Sequence, residues 1–264
     1  MNAKAEVAVL MLHSACQMRC PFCVTEGSLS PMSFDQAAGL LKDLRAEGFN
    51  NVVFGGGEPT LWRGGLEALA RLAKQAGFLT QVGSNGIAME GAIASSPFID
   101  RWVLPLESPF ADTHDRMRPL EGSHHALILE RLERLRREGR EVTLSTVVTR
   151  ENGGELEDLA DFLEGYVERG GRVHAWHLYR FLPLGRGGWI NSPALGMSQG
   201  LYDACCDSAR ARVRSFRAYK RPDMFHSHDV DFFWFEGAAL RRGSVAWGGA
   251  ERGGIQPSMS GRAS

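Results

Sequence analysis

The sequence lacks a long hydrophobic run, an excess of charge of either sign and a cysteine-rich framework. No apolar stretch approaches the roughly 20 residues of a membrane-spanning helix, so we expect no membrane partner. Lys and Arg (30) nearly balance Asp and Glu (31), which gives no general signal for nucleic-acid binding. Three of the five cysteines are clustered, a distribution unlike that of a disulfide-stabilised secreted domain. With no secretory signal at the start, these absences predict a cytoplasmic, reducing location.

Strand-like and helix-like segments alternate along most of the chain. The strand-like segments are 7–12, 51–54, 78–82, 101–106, 141–148 and 173–179. Between them apolar residues recur at helical spacing, and Ser33 with Gln36 forms a capping-box pattern before the first helix. This alternation predicts an α/β fold with a parallel sheet and right-handed crossovers. At 264 residues the chain fits one α/β barrel domain.

Three cysteines follow the first predicted strand in the pattern C-x3-C-x2-C. Cys16, Cys20 and Cys23 offer thiolates, which are soft ligands suited to zinc or iron–sulfur clusters. A structural zinc site normally closes with four protein ligands, whereas this loop supplies three and so favours a metal group with one open position. Two alternatives remain open: a zinc site that recruits His13 as fourth ligand, and a redox-active pair of Cys20 and Cys23.

Polar or glycine-rich residues follow each predicted strand. The Gly-Gly-Gly-Glu-Pro-Thr run at 55–60 follows the second strand, Ser84 and Asn85 follow the third, and Glu107 and Ser108 follow the fourth. In parallel α/β barrels the chemistry lies at the carboxyl ends of the strands. The sequence therefore predicts that these groups and the cysteine loop meet at one mouth.

The cysteine spacing, together with Gly-Gly-Glu-Pro at 56–59, resembles the radical S-adenosylmethionine (SAM) superfamily. The likeness covers roughly residues 6 to 190. It implies a partial (β/α)6 TIM-type barrel at 1–190, with a short C-terminal extension at 191–264 that covers the barrel or the substrate site. The runs at 113–119 and 147–152 look most like the branch of molybdenum-cofactor and quinone-cofactor biosynthesis enzymes and peptide maturases.

The resemblance implies roles for individual residues. Cys16, Cys20 and Cys23 would hold a [4Fe–4S] cluster whose fourth iron binds SAM. The predicted SAM-binding residues are Phe22, Gly56, Gly57, Glu58, Ser84, Asn85, Glu107, Ser108 and Arg118. Glu58 would meet the ammonium group of SAM, and Arg118 its carboxylate.

Some of these positions depart from the pattern or have a simpler explanation. Related enzymes often read Ser-Leu-Asp-Gly where this chain has Pro-Leu-Glu-Ser at 105–108, so the ribose contact is open, with Glu107 as our choice. Ser84 and Asn85 could belong to an ordinary turn. Arg118 could form a surface ion pair, and Phe22 could merely shield a cluster from water.

The substrate end of the site is less defined. His177, Tyr179 and Arg180 belong to or follow the sixth predicted strand and suggest a polar substrate pocket. His226 and His228, in an aromatic segment near the C-terminus, are further candidates. Maturases of this branch usually carry seven or more cysteines after the barrel for auxiliary clusters. Only Cys205 and Cys206 follow the barrel here, and we interpret both as core thiols.

The sequence thus predicts a radical SAM enzyme that cleaves SAM reductively to a 5′-deoxyadenosyl radical. Its predicted substrate is a small polar metabolite in cofactor or natural-product biosynthesis, and its electron donor a protein such as flavodoxin or ferredoxin. The alternatives are a radical SAM peptide-modifying enzyme, a glycyl-radical activase and, outside enzymes, a zinc-binding module. The pattern does not specify the reaction outcome.

Overall fold

The computed structural model describes residues 6–25, 27, 29–224 and 229–246, and the strands in this part of the chain form one sheet. The strands are β1 (Val7–Met11), β2 (Asn51–Gly55), β3 (Leu79–Gly83), β4 (Arg101–Pro105), β5 (Glu141–Val148), β6 (Arg172–Arg180), β7 (Arg217–Arg221), β8 (Val230–Glu236) and β9 (Ala239–Arg242). Their order is β7-β6-β5-β4-β3-β2-β1-β8-β9. All neighbouring strands are parallel except the β8–β9 pair.

Helices connect the parallel strands. They are α1 (Phe34–Glu47), α2 (Leu66–Gln75), α3 (Gly91–Ala94), α4 (Ala111–Met117), α5 (His124–Arg137), α6 (Leu156–Glu168), α7 (Gly185–Leu195), α8 (Gln199–Arg212) and α9 (Gly243–Ala246). Short 3₁₀ helices occur at Pro59–Leu61 and Gly153–Glu155. In the described part of the chain, none of the helices combines the length and apolar character needed to cross a membrane.

The first six strands confirm the predicted α/β architecture. Each of β1 to β5 pairs in parallel with the next strand along the chain and is joined to it through helical segments. The first helix begins as its sequence indicates: the Gln36 N–H donates to Ser33 Oγ at 3.1 Å, and the Ser33 N–H donates to Gln36 Oε1 at 2.8 Å. It ends at Gly48, whose φ of 93° is readily reached only by glycine.

The sheet extends beyond the six predicted strands on both sides. β7 adds to β6, β8 adds to β1, and β9 then pairs with β8. The aromatic residues Phe232 to Phe235 belong to β8, which pairs with β1. The division at residue 190 stays a prediction, since segments on both sides of it contribute strands to this sheet. His226 and His228 lie outside the described residues.

Alternation along the strands separates a packed face from a cavity face. Leu10, Phe54, Trp102, Leu144 and Trp176 are fully buried in the main core with the helices. Residues of the opposite face line a cavity, among them Gly83, Val103, Pro105, Ser145, Val147 and Tyr179. The parallel strands therefore present their carboxyl ends and one inner face to a common site.

Candidate active site

Three thiols lie on the loop that follows β1. Cys16, Cys20 and Cys23 are half-buried free cysteines on the wall of the cavity, whose volume is about 270 Å³. The N–H of Cys23 donates to the carbonyl of Cys20 at 3.1 Å and so tightens the loop. Burial raises the pKa of the Cys20 thiol to about 11, and the guanidinium of Arg118 opposes this shift. A metal that binds Cys20 must therefore displace its proton.

The glycine run after β2 packs directly against the cysteine loop. The N–H of Gly57 donates to the carbonyl of His13 at 2.6 Å, and the N–H of Glu58 donates to that of Ala15 at 2.8 Å. Gly56 has a φ of 116°, and a Cβ atom there would lie 2.4 Å from the His13 oxygen. Glycine is needed here because two backbones touch and because this conformation strains any residue with a side chain.

The Glu58 carboxylate connects the loop after β2 to the loop after β3 through hydrogen bonds. Its side chain is 1% exposed. Oε1 accepts from the Thr60 N–H at 3.2 Å, the Thr60 hydroxyl at 2.7 Å and the Ser84 hydroxyl at 2.8 Å. Within the described part of the chain, Oε2 accepts only from the Asn85 N–H, at 2.7 Å. An ionised carboxylate offers about four acceptor sites, so Oε2 keeps capacity for a cationic ligand in the cavity.

Two polar side chains approach the cysteine sulfurs. Asn85 Nδ2 lies 3.7 Å from Cys16 Sγ, and Arg118 Nη1 lies 3.8 Å from Cys20 Sγ. Donors placed at thiolate sulfurs stabilise the deprotonated ligand and tune the potential of a bound iron–sulfur group. The ends of β1, β3 and α4 thus converge on the cysteine loop.

Glu107 and Ser108, which are predicted to contact SAM, are buried and do not themselves line the cavity. Glu107 is fully buried, and its carboxylate accepts from Arg118 Nε at 2.7 Å and from the Val147 N–H at 2.7 Å. Ser108 is also fully buried and donates to Glu155 at 2.5 Å. Burial raises the pKa of the Glu107 carboxyl, an effect that Arg118 opposes. The geometry gives Glu107 the task of positioning Arg118, which does line the cavity.

Phe22 lines the cavity and also shields the cysteine loop. Its ring is 5% exposed, and the Arg118 guanidinium carbon lies 5.0 Å from the ring centroid. It belongs to a small apolar cluster with Met117, Phe181 and Leu195, against which Cys20 packs. These apolar side chains keep water away from Cys20 and lower the local dielectric constant, so hydrogen bonds to its sulfur are stronger.

A histidine relay connects the ends of β4 and β3. The N–H of Glu107 donates to His114 Nδ1 at 3.1 Å, so His114 Nε2 carries the proton shared with His124 Nδ1 at 2.8 Å. His124 Nε2 then donates to the carbonyl of Asn85 at 2.9 Å. Burial lowers the pKa of His114 to about 2 and that of His124 to about 4. Both rings are neutral and fix the Asn85 backbone.

The predicted residues of strand six separate into two positions. Tyr179 and Arg180 line the cavity. His177 does not reach it and instead accepts from Arg221 Nε at 3.2 Å and stacks on Tyr219, with ring centroids 5.5 Å apart. His177 therefore does not line the cavity but contacts Arg221 and Tyr219 next to it.

The first residues of α7 pack against the cysteine loop and form hydrogen bonds with it. The N–H of Gly187 donates to the carbonyl of Cys23 at 3.1 Å, and a Cβ atom at Gly187 would lie 2.5 Å from the Cys20 carbonyl oxygen. Arg186, also on the cavity wall, donates to the carbonyl of Ser14 at 2.9 Å. The loop is thus held by α7 as well as by the glycine run.

Several residues of this arrangement were not singled out from the sequence. Thr60 stands two residues after Glu58 in the glycine run, and a hydroxyl at this spacing from a carboxylate could have indicated their hydrogen bond. The glycines of α7 were a second signal, because glycine inside a helix usually marks a close approach. His124 and Arg221 gave no comparable signal, since their partners lie far along the chain.

The geometry disfavours a single zinc ion held with His13. His13 Nε2 lies 2.8 Å from the carbonyl oxygen of Glu58, so this ring already links the two loops. Within the described residues, no three His, Cys, Asp or Glu side chains converge as ligands of one ion must. Three thiolate donors on one loop suit an iron–sulfur cluster, which binds each thiolate through a different iron.

The sequence model of the radical SAM superfamily matches residues 11–163. The chain belongs to the radical SAM superfamily. This confirms the enzyme class that the motifs indicated and implies SAM and an iron–sulfur cluster. The matched range contains the three cysteines, Glu58, Ser84, Asn85 and Arg118.

Individual relatives of this superfamily member are distant. It is 25% identical over 182 residues to Fe-coproporphyrin III synthase of Methanosarcina barkeri, covering 66% of this chain and 44% of that protein. It is 24% identical over 188 residues to an S-adenosylmethionine-dependent nucleotide dehydratase of Flammeovirga pacifica, covering 66% and 61%. The chain thus spans about half the length of the curated relatives it matches.

Solved structures agree with the partial-barrel fold. SuiB of Streptococcus suis bound to SAM superposes with a TM-score of 0.67 at 14% identity, covering 84% of this chain and 52% of that one. HydG, a maturase of the [FeFe]-hydrogenase, superposes with a TM-score of 0.60 at 13% identity, covering 82% and 56%. At these identities the likeness establishes the fold alone.

Proposed function

We propose that this protein binds a [4Fe–4S] cluster through Cys16, Cys20 and Cys23 and uses it to cleave SAM. The observation that carries the proposal is the meeting of three thiols and the Glu58 carboxylate at one cavity. When bound, the cluster would supply one electron to the SAM sulfonium, which releases a 5′-deoxyadenosyl radical that abstracts hydrogen from a substrate carbon.

The chain's own residues account for the binding of SAM. Glu58 Oε2, which has one donor among the described residues, would accept from the SAM ammonium group. Arg118, held by Glu107, would meet the SAM carboxylate. Gly56 and Gly57 let the main chain approach closely, and Phe22 keeps water from the reacting end.

Two neighbouring residues orient this set. Ser84 donates to Glu58, and the Asn85 N–H donates to the same carboxylate while its side chain faces Cys16. The adjacent residues Ser84 and Asn85 would thus position both the SAM ammonium group and the cluster. Such shared positioning holds the sulfonium at a fixed distance from the electron source.

The proposed substrate is a small polar metabolite in cofactor or natural-product biosynthesis. Two relatives carry names of small-molecule chemistry, a coproporphyrin synthase and a nucleotide dehydratase. Tyr179 and Arg180 supply polar groups on the cavity wall for such a substrate. A flavodoxin or ferredoxin would deliver the electron. The same fold also holds a precursor peptide in SuiB, with a TM-score of 0.63, so peptide modification is the second candidate.

The test is anaerobic incubation of the reconstituted protein with SAM and dithionite, followed by mass spectrometry for 5′-deoxyadenosine. We expect the wild type to form it and Cys20→Ala to lose both the cluster and SAM cleavage. A protein that takes up zinc in place of iron and forms no 5′-deoxyadenosine would refute the proposal. Pull-down of a precursor peptide, with no turnover of small metabolites, would favour the peptide alternative.

A further inference from the structure

The cavity wall carries more positive charge than its acidic residues balance. It contains three arginines, Arg118, Arg180 and Arg186, and one carboxylate, Glu58. Arg118 is paired with the buried Glu107. Arg180 and Arg186 donate to neutral oxygens and have no carboxylate at ion-pair distance among the described residues. Three thiolates on a [4Fe–4S]2+ core keep a small net negative charge, which the net positive charge of bound SAM would offset, so Arg180 and Arg186 have no anion of their own at the site.

Arg221 on β7 is a further arginine without an ion pair among the described residues, and it adjoins the cavity wall without itself lining it. Arg221 is the register partner of Tyr179, which lines the cavity. Its Nε donates to His177 Nδ1 at 3.2 Å, and its guanidinium carbon lies 5.2 Å from the ring centroid of Tyr219. The His177 ring stacks on the same tyrosine. Two rings therefore fix the orientation of the guanidinium before any ligand arrives.

The partners of Arg221 do not neutralise its charge, and they leave its two Nη atoms able to donate hydrogen bonds to a ligand. His177 accepts at Nδ1 and is neutral, because burial and the adjacent Arg221 lower its pKa to about 3. In the part of the chain that the structure describes, the side chain of Arg221 donates only through Nε and forms no ion pair. An oriented guanidinium that has no carboxylate partner in the described protein can take an anion from a ligand.

We propose that Arg221, oriented by His177 and Tyr219, binds a phosphate or carboxylate group of the substrate at the Tyr179 side of the cavity. This proposal rests on the proposed function and assigns the substrate to the anionic class. The planar guanidinium fork binds both anions in a bidentate manner, and an oriented fork loses little entropy on binding. Arg180 and Arg186 add favourable charge at the same cavity.

The test uses the full chain with its cluster and SAM bound, under anaerobic conditions, in titration calorimetry with two probes. Inorganic pyrophosphate represents phosphates, and succinate represents carboxylates. We expect one probe to bind saturably to the wild type and Arg221→Gln to weaken it by about tenfold or more, the scale of a hydrogen bond to a charged group. Arg221→Lys keeps the charge without the fork and should retain part of the affinity. Arg137→Gln, at an exposed position on α5, is the matched control and should bind as the wild type does.

Each outcome bears on one proposal. Binding of pyrophosphate alone assigns a phosphate, and binding of succinate alone assigns a carboxylate. Absence of saturable binding, unchanged binding in Arg221→Gln, or an equal loss in Arg137→Gln overturns the anion site. Circular dichroism and cluster absorbance establish that the variants are folded and loaded. 5′-Deoxyadenosine from the wild type is measured separately, so SAM cleavage stands if it forms while the anion site fails.

Discussion

The main chain of Gly57 touches that of Ala15: a Cβ atom on Gly57 would lie 2.0 Å from the Ala15 carbonyl oxygen. The contact closes the loop after β2 onto the cysteine loop after β1, and the neighbouring N–H of Glu58 donates to the same oxygen at 2.8 Å. Both halves of the candidate site are thereby fixed to each other by backbone rather than by flexible side chains. The predictions below test this arrangement and the charges around it.

Gly57→Ala should separate the two loops, because backbone has no room to yield to a methyl group. We expect a loss of about 1–3 kcal/mol in the free energy of unfolding, the range for overpacking, and a fall in bound iron after reconstitution. Urea unfolding and iron analysis measure these effects. Gly154→Ala is the matched control, since a Cβ there meets no atom within 4 Å. Equal iron content in both variants would contradict the contact.

Glu58→Gln should weaken SAM binding by about 1.5–3 kcal/mol, the scale of a hydrogen bond to a charged group. The substitution removes the negative charge and places an amide donor where the carboxylate accepts from Ser84 or Asn85. Equilibrium binding of SAM to the reconstituted protein measures the change. Glu168→Gln, exposed at the end of α6, serves as the control. Unchanged affinity in Glu58→Gln would remove this residue from the SAM site.

Glu107→Gln should destabilise the fold by about 3–5 kcal/mol, because it leaves Arg118 charged and unpaired in a buried position. The pair is 2.7 Å apart, with Glu107 fully buried and the Arg118 side chain 13% exposed. Glu138→Gln breaks the partly exposed Arg134–Glu138 pair of similar length, 2.8 Å, and should cost about 1 kcal/mol or less. Urea unfolding of both variants gives the comparison. Similar losses in the two would show that Glu107 does not hold Arg118.

The histidine relay should make the protein sensitive to acid. The folded-state pKa values of His114 and His124, about 2 and about 4, lie below the ordinary value of 6.5. Below pH 6.5 the unfolded chain therefore binds protons that the folded chain excludes. The free energy of unfolding should fall by about 1.4 kcal/mol per pH unit for each histidine as the pH decreases from about 6.5 to 4.

The variant His124→Gln isolates this contribution. Denaturant unfolding between pH 7 and 5 should show a shallower pH slope in His124→Gln than in the wild type. His125, Asp115 and Arg118 also face the pair electrostatically and remain in both proteins. His174→Gln, with 44% of the original side chain exposed, should change the slope less. Identical slopes in His124→Gln and the wild type would contradict burial of a neutral relay.

The sequence was most informative where adjacent parallel strands end together. Glu58, Ser84 and Asn85 belong to the ends of neighbouring strands, so their meeting follows from strand order alone. The same rule places the cysteine loop beside the glycine run. Periodicity likewise predicted the first helix, because Ser33 and Gln36 form a local hydrogen-bonded pair that needs no tertiary context.

Side-chain direction beyond the strand ends was not predictable. Glu107 is buried behind Arg118 and Val147, which hold its carboxylate and themselves line the cavity, and no local pattern encodes those partners. The place of β8 beside β1 depends on a pairing between segments more than 200 residues apart. The His114–His124 contact likewise requires the fold of α4 against α5.

The support of the cysteine loop by Gly187 sets an order of events during synthesis. Cys16 to Cys23 leave the ribosome before Gly187, because the N–H that holds the Cys23 carbonyl belongs to a residue made 164 positions later. Until Gly187 has been made, the loop that carries the three thiols lacks one of the segments that pack against it. The cysteine loop is therefore fully supported only after Gly187 has been translated, and earlier metal loading would meet a loop open to oxidation and to competing metals.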